Sequence, residues 1–174
     1  MNSVDAIKEL REQTSCGIID CKNALEEAKG DFEKAKTILQ KRGLEIAAKK
    51  GSRTAREGRV EGYVHNGNKI GVLVEVNCET DFVARSDDFA RFSKDLAMHI
   101  AAMAPDYIRE DEVPGDVLSD QKDKKTFLKE KVLLNQPFVK DQSKSVQDCL
   151  NELVAKIGEN TFVSRFTRYK LGQH

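Results

Sequence analysis

The sequence has no tryptophan, only three prolines and three histidines, and no long hydrophobic run. No apolar segment approaches the roughly 20 residues with which a helix crosses a bilayer, so we expect no membrane contact. The N-terminal segment carries acidic residues early and has no apolar stretch followed by small residues, which argues against a secretory signal and predicts a cytoplasmic protein. Net charge is also missing, because 29 Lys and Arg balance 29 Asp and Glu. A nucleic-acid partner would therefore need a local basic patch, and we predict no direct nucleic-acid binding.

The patterns of common catalytic and metal sites are missing as well. Glycines do not cluster between a strand and a helix as they do in phosphate-binding loops, and neither GxSxG nor HExxH occurs. The cysteines lack the paired short spacings of a zinc site; they are Cys16, Cys21, Cys78 and Cys149. We therefore predict no cofactor, no metal and no catalytic residue, and we favour a binding protein over an enzyme.

The composition nevertheless describes a folded chain, with 174 residues of which 39% are hydrophobic and 33% charged. Within residues 1–45, apolar side chains recur three times at helical spacing, which predicts a small three-helix module. The first helix is expected over residues 3–14. Asp20 and Asp31 are the predicted N-caps of the second and third helices, and Gly30 and Gly43 are their predicted C-terminal stops.

Residues 46–57 form a predicted linker of small and basic residues. The basic side chains of this region are Lys49, Lys50, Arg53, Arg56 and Arg59. A solvated spacer is the simpler interpretation, and a strap that binds phosphate or acidic groups is the sharper one.

From residue 58 to residue 174 the pattern predicts an α+β domain, an antiparallel sheet with helices packed on it. Two alternating runs flank Asn66-Gly67, a strong hairpin signal, and we expect their apolar positions to form one aliphatic face. A helix should begin at Asp87, with His99 on its apolar stripe. Residues 106–123 read as a loop, followed by a helix over 127–134. A helix capped by Ser145 and Asp148 and a closing strand after Asn160 complete the domain.

Phe82 is the residue that this pattern leaves unexplained. It follows Thr80 and Asp81 in a segment that should be a loop after the second strand of the hairpin. Either the ring folds back over the sheet, or it is an exposed anchor that fills a pocket on a partner. Residue patterns alone favour the first interpretation. For His99, packing within the protein or at an interface is favoured over a role as general base.

Several motifs are similar to those of one family. They are VNCETDFVARSDDF, IKELREQTSCGIIDCKNALEEAKGDFEKA, IAAKK, LAMHIAA, NQPFV and RFTRYKLG. Together they span nearly the whole chain, which resembles the elongation factor Ts family, the guanine-nucleotide exchange factors for elongation factor Tu. The resemblance implies a ubiquitin-associated-like three-helix module over residues 1–45, then the basic linker and a dimerisation domain.

The resemblance also implies roles for individual residues on the GTPase domain of elongation factor Tu. Asp81 and Phe82, flanked by Thr80 and Val83, match the segment that enters near the partner's magnesium site and displaces the ion. Further partner contacts are implied for Leu10, Ile18, Ile19 and His99. Ser15 stands where glycine is common in the family.

The resemblance extends to assembly. Long family members have two related core halves, whereas this chain has one and resembles the short type, so a homodimer is expected. The candidate pairing strand follows Asn160 and contains Phe162, Val163, Phe166 and Leu171.

Two other functions remain open. A ubiquitin-associated-like adaptor without exchange activity would use the same module, and an RNA-contacting protein would use the basic residues from Lys49 to Arg59.

Overall fold

The structure, a computed structural model, describes residues 3–14 and 16–173, apart from the side chains of Ser3 and Ala47. Ser15 lies outside the described residues. Groups of helices and antiparallel strands follow one another along the chain, which confirms the predicted α+β class. The helices are α1 (Ser3–Thr14), α2 (Ile18–Glu27), α3 (Phe32–Lys50), α4 (Asp81–Ala84), α5 (Asp87–Met103), α6 (Gly115–Ser119), α7 (Lys124–Lys131) and α8 (Val146–Ile157). The strands are β1 (Glu57–Val64), β2 (Ile70–Cys78), β3 (Pro137–Phe138), β4 (Asp141–Ser145) and β5 (Phe162–Lys170).

The chain divides into two compact units. The first comprises residues up to Arg53 together with Asn151–Asn160, and the second comprises Thr54–Leu150 together with the residues from Thr161 on. The break after Arg53 falls within the predicted linker, and the predicted domain limits at residues 45 and 58 stay predictions. Nothing in the sequence pattern had indicated that residues 151–160 join the first unit, because they are distant from it along the chain.

Helices α1 to α3 enclose the core of the first unit. This core consists of Leu10, Cys21, Ala24, Leu25, Ala28, Ala35 and Leu39. The predicted turn between α2 and α3 is confirmed: Gly30 has φ +83°, and the Asp31 carboxylate accepts a hydrogen bond from the Lys34 amide at 3.1 Å.

Two predicted helix ends in this unit are wrong. Helix α2 begins at Ile18 with Gly17 as its N-cap, not Asp20. The Asp20 carboxylate instead folds back over the helix start, so that a Cβ on Gly17 would lie 2.9 Å from its Oδ2. Helix α3 passes through Gly43 and ends at Lys50, because good helix formers follow Gly43 and offset the roughly 1 kcal/mol that a helical glycine costs.

The segment after α3 is held by hydrogen bonds rather than solvated throughout. Asn160, which is buried, donates from Nδ2 to the carbonyl of Arg53 at 2.7 Å and to that of Gly51 at 3.5 Å. Lys50 donates from Nζ to the carbonyl of Gly158. A free spacer is therefore a poor description of residues 50–53, whose backbone is tied to the turn after α8.

The second unit is built on an antiparallel sheet with strand order β1-β2-β5. The predicted hairpin is confirmed, since β1 and β2 pair antiparallel. At the turn, Gly67 has φ +86° and the His65 amide donates to the Ile70 carbonyl at 2.9 Å. The closing strand is also confirmed as β5. One face of β2 is buried and packs on α5. The residues of this face are Val72, Val74, Val76 and Cys78.

The expected single aliphatic face is wrong for β1. In the observed register Val60 pairs with Glu75 and Gly62 with Leu73, so the valines of β1 share the outer face of the sheet. The inner face of β1 instead carries long, half-buried side chains. Two of them, Arg59 and Glu61, form an ion pair at 2.7 Å. The outer face consequently exposes the apolar residues Val60, Val64, Leu73 and Tyr169.

Helix α5 packs on the inner side of the sheet, and shorter helices complete the second unit, which includes α8 only as far as Leu150. Helix α5 begins at Asp87 as predicted and buries Phe89, Leu96 and Ile100. The cap of α8 is also as predicted, because Ser145 Oγ accepts from the Asp148 amide at 3.1 Å. The predicted loop 106–123 is partly wrong, since it contains a 3-10 turn at Glu110–Glu112 and helix α6. The next helix, α7, begins three residues earlier than predicted, and a second 3-10 turn follows it at Leu133–Asn135.

Candidate functional site

The segment Thr80–Val83 forms a short capped turn at the end of β2. Thr80 is the N-cap of α4, and its hydroxyl accepts a hydrogen bond from the Val83 amide at 3.3 Å. Just before it, the Cys78 thiol donates to the Thr80 carbonyl at 3.1 Å. These contacts give the turn a defined conformation where the strand stops.

Phe82 points away from the protein. Its side chain is 81% exposed, whereas the next residue, Val83, is 7% exposed and packs inward with Ala84. Helix α4 packs against β1 and β2 through this buried side. The ring therefore does not fold back over the sheet, and the packing interpretation favoured by residue patterns is wrong. A large aromatic ring held outward on a fixed base has the geometry of an anchor for a pocket on a partner.

A second cap fixes the other end of α4. The Ser86 hydroxyl donates to the Val83 carbonyl at 2.8 Å and accepts from the Phe89 amide at 3.4 Å, where α5 begins. Ser86 thus joins the short helix to a long helix whose apolar side is buried. Because both ends of α4 are held, the backbone that carries Phe82 has a defined conformation.

Asp81 is also at the surface. Its carboxylate forms an ion pair with Arg85 at 2.9 Å, and both side chains are well exposed. Exposed pairs of this kind contribute at most about 1 kcal/mol. Asp81 can therefore exchange this partner for another cationic group at little cost.

The residues predicted on the first unit separate into two groups. Ile18 and Ile19, in the first turn of α2, are 57% and 73% exposed. Leu10, predicted alongside them, has no exposed surface and lies in the core of the helices. An open groove adjoins Ile18 and is lined by Val4, Ile7, Lys8, Arg11, Glu12 and Lys156.

His99 is fully buried in the second unit. Its Nδ1 faces the Val139 amide at 3.1 Å, and because that amide can only donate, Nδ1 accepts. The proton of the neutral ring is therefore on Nε2, which donates to Gln136 Oε1 at 2.9 Å. The ring stacks on Phe138 at 5.6 Å between centroids. Burial lowers the pKa of His99, with a smaller opposing effect from the Gln136 hydrogen bond.

The predicted pairing strand has a mixed environment. Val163 is buried, Phe162 and Phe166 are half-buried, and Leu171 is exposed just beyond β5. Strand β5 pairs with β2 on one side and is an edge of the three-stranded sheet. Sequence patterns missed the exposed residues Val60, Val64 and Leu73, because alternation along a strand does not indicate which half of it faces inward.

Within residues 3–14 and 16–173, no three His, Cys, Asp or Glu side chains are grouped closely enough to hold a metal ion. Among the same residues, no helix has both the length and the apolar character that a membrane crossing requires.

Sequence comparisons place these features in a family. The sequence model described as "Elongation factor TS" matches residues 22–126 and 123–173. Elongation factor Ts of Caldanaerobacter subterraneus subsp. tengcongensis is 47% identical over 196 aligned positions that cover 99% of this chain and 98% of the relative. Elongation factor Ts of Anaeromyxobacter sp. (strain Fw109-5) is 51% identical, over 98% of this chain and 89% of the relative.

The alignments also show that the relatives have positions that this chain lacks. The alignment of 196 positions exceeds the 174 residues of this chain by 22, so at least that many positions have no counterpart here. The two matches to the family meet at residues 123–126, where α7 begins. Elongation factor Ts of Fervidobacterium nodosum is 46% identical, over 98% of both proteins. With matches that cover most of its length, this chain belongs to the elongation factor Ts family.

Proposed function

We propose that the protein is the guanine-nucleotide exchange factor of translation elongation, and that it acts on elongation factor Tu in the cytoplasm. Membership of the elongation factor Ts family supports this activity. The observation that carries the site assignment is the exposed ring of Phe82 on a turn capped at both ends. Exchange requires binding only, so the protein is not an enzyme and needs no cofactor.

In this proposal Phe82 and Asp81 enter the GTPase domain near its magnesium ion. Magnesium bridges the nucleotide phosphates to the GTPase and supplies the largest local positive charge. When Phe82 wedges into a pocket beside this site, the elements that support the ion move and the ion is displaced. The nucleotide then loses its main countercharge and dissociates.

The free energy for this step comes from differential binding. A factor that binds the nucleotide-free GTPase more tightly than the loaded form weakens the nucleotide by the same factor. A thousandfold weakening of GDP corresponds to about 4 kcal/mol. A buried aromatic anchor contributes about 2 kcal/mol or more, so a second contact is needed to supply the rest.

We assign that second contact to the first unit. Ile18 and Ile19 form an exposed apolar pair, and the groove beside Ile18 adds basic side chains. This surface would dock on the GTPase domain and contribute affinity. Leu10 supports the docking surface from the core, because its buried side chain has no surface with which to touch a partner.

His99 enters the proposal as a positioning residue. The sequence resemblance implies a partner contact, but the ring has no exposed surface. Its two hydrogen bonds instead hold Gln136 and the Val139 backbone against α5.

The proposed assembly is a homodimer formed through the outer face of the sheet. Monomeric proteins rarely expose large contiguous apolar patches, and this face carries Val60, Val64 and Leu73 on adjacent strands. Two such faces can pack on each other, because a twofold contact uses the same patch twice.

Release of labelled GDP from elongation factor Tu tests the exchange function. Catalytic amounts of the wild-type protein should accelerate release. Phe82→Ala should slow the stimulated rate about 30-fold, the effect of losing about 2 kcal/mol, with an unchanged melting temperature because the ring is exposed. Lys122→Ala, which truncates another exposed side chain of the same unit, is the control.

The outcomes separate the alternatives. An unchanged rate of GDP release in the presence of the wild-type protein would refute the exchange function. Binding to elongation factor Tu without acceleration of GDP release would support the adaptor. A Phe82→Ala variant as fast as Lys122→Ala would remove Phe82 from the site. Salt-sensitive RNA binding that is lost on neutralising Lys49 and Arg56 would support the RNA-contacting function.

A further inference from the structure

Two cysteines lie close together at the start of α2. The Cys21 thiol is 3.9 Å from the Cys16 carbonyl oxygen and 3.9 Å from the Thr14 hydroxyl. The Cys16 thiol donates to the Thr14 carbonyl at 3.6 Å. Cys16 also packs against the core cluster to which Cys21 belongs. Both sulfur atoms therefore contact the same residue, and Cys21 Sγ already touches the backbone of Cys16.

We propose that Cys16 and Cys21 are an oxidation site at which a small-molecule disulfide, such as oxidised glutathione, closes an intramolecular disulfide bond. The bond would withdraw the apolar pair Ile18 and Ile19 from docking. The second statement rests on the proposed function, whereas the first does not. Disulfides in reducing compartments are usually transient and redox-sensing, and this pair fits that class.

The surroundings of the two sulfurs assign the order of the steps. Cys16 is half-buried and accessible, while Cys21 has no exposed surface. Burial raises the pKa of the Cys21 thiol, with a smaller opposing effect from the Thr14 hydrogen bond. This thiol therefore stays protonated to higher pH than an exposed one. Cys16 is therefore the attacking residue, and Cys21 resolves the mixed disulfide.

The exchange is balanced in atoms and electrons. The Cys16 thiol releases its proton to solvent, and its thiolate attacks one sulfur of oxidised glutathione, which forms a mixed disulfide and expels one glutathione thiolate. Cys21 then loses its proton and attacks the Cys16 sulfur, which expels the second thiolate. Two protein thiols are oxidised by two electrons in total, and one oxidised glutathione is reduced to two glutathione molecules.

The bond would alter the docking surface because that surface lies inside the ring it closes. Ile18 and Ile19 are located between the two cysteines in the first turn of α2. That turn is closed by the Cys21 amide, which donates to the Gly17 carbonyl at 3.0 Å. Drawing Cys21 Sγ out of the core toward Cys16 moves this turn and the isoleucines with it.

Mass spectrometry tests the oxidation site on the full-length protein. After treatment with oxidised glutathione and removal of the reagent, the wild-type protein should be about 2 Da lighter, and peptide mapping should link Cys16 to Cys21. Cys149→Ser, which removes another half-buried thiol, should behave like wild type. Cys16→Ser should not form the bond. Wild-type protein that gives only glutathione adducts, or no link between these residues, would overturn the site.

GDP release from elongation factor Tu tests the effect on docking. At sub-saturating concentration, the oxidised wild type should stimulate release about tenfold less than the reduced protein, and dithiothreitol should restore the rate. Cys16→Ser should be insensitive to the oxidant. Equal rates for mapped, oxidised protein and reduced protein would overturn the control of docking. If the reduced protein does not accelerate GDP release from elongation factor Tu, the proposed function and the effect on docking are both refuted. The mass measurement still tests the oxidation site.

Discussion

At the scale of single residues, His99 is the side chain whose chemistry the structure defines most closely. Each ring nitrogen has one partner, and the partners differ in kind: a backbone donor at Nδ1 and an amide oxygen at Nε2. The Gln136 amide in turn donates to the Glu130 carbonyl at 2.6 Å, which fixes its own orientation. Only the neutral ring satisfies this arrangement, because a protonated Nδ1 would face the Val139 N–H.

This arrangement predicts that acid destabilises the protein through His99. The folded-state pKa lies below the unfolded value of about 6.5, so the unfolded chain binds the proton first. The free energy of unfolding is therefore unaffected by His99 above that pH and falls as pH decreases through it, by at most about 1.4 kcal/mol per pH unit. Urea unfolding at pH 7.5 and pH 5.5 measures the loss, and His99→Asn should show a smaller difference between the two pH values. An equal difference in both proteins would contradict the prediction.

At the scale of elements, α4 depends on its caps because it is only four residues long. A helix of this length has too few internal hydrogen bonds to be stable alone. Thr80 and Ser86 supply hydrogen bonds at its two ends, and Val83 supplies the buried contact. The outward direction of Phe82 is thus a property of the whole turn.

Thr80→Ala should consequently slow GDP release from elongation factor Tu, although the proposed anchor is Phe82 and not Thr80. Loss of the cap costs about 1 kcal/mol and frees the turn that presents Phe82. We expect a drop of about this size in the free energy of unfolding and a slower stimulated GDP release. Thr80→Ser, which keeps the hydroxyl, should retain most of both. If Thr80→Ala exchanged at the wild-type rate, the cap would have no part in presenting the ring.

Elements with strong local signals were predictable from the sequence. The hairpin follows from Asn66-Gly67, α5 from its long apolar stripe, and the start of α8 from Ser145 and Asp148. In each case the signal is a preference of the local backbone or a periodicity sustained over several turns. Tertiary contacts did not have to override it.

Elements that depend on tertiary contacts were not predictable. The alternation along β1 predicts that its side chains point to two faces, but not which set of side chains faces inward. The register with β2 determines this. Helix α3 passes Gly43 for a local reason, since the helix formers after it offset the cost of one glycine, but glycine is also a common helix end, so the pattern did not decide between the two. The exposure of Phe82 depends on Val83 filling the space against the sheet, which no local pattern records.

At the scale of the whole molecule, the outer face of the sheet is an exposed apolar surface that the proposed exchange site does not use. Its centre is Leu73 on the middle strand, 52% exposed, with Val60 beside it on β1. An ion pair between Arg165 and Glu75 at 2.7 Å lies next to these residues, and the Arg165 guanidinium lowers the pKa of the Glu75 carboxyl. Packing two such faces together removes apolar surface from water but must also accommodate this pair.

The homodimer proposal predicts that one charge at the centre of this face separates the subunits. In a twofold contact Leu73 lies near its own copy, so Leu73→Lys brings two positive charges together and removes two apolar contacts. Light scattering after size exclusion at micromolar concentration should give about twice the monomer mass of 19.5 kDa for wild type and the monomer mass for the variant. Leu44→Lys, at an exposed leucine of α3, should remain dimeric. A monomeric wild type would refute the dimer, and a dimeric Leu73→Lys variant would exclude this face and leave the edge of β5 as the pairing surface.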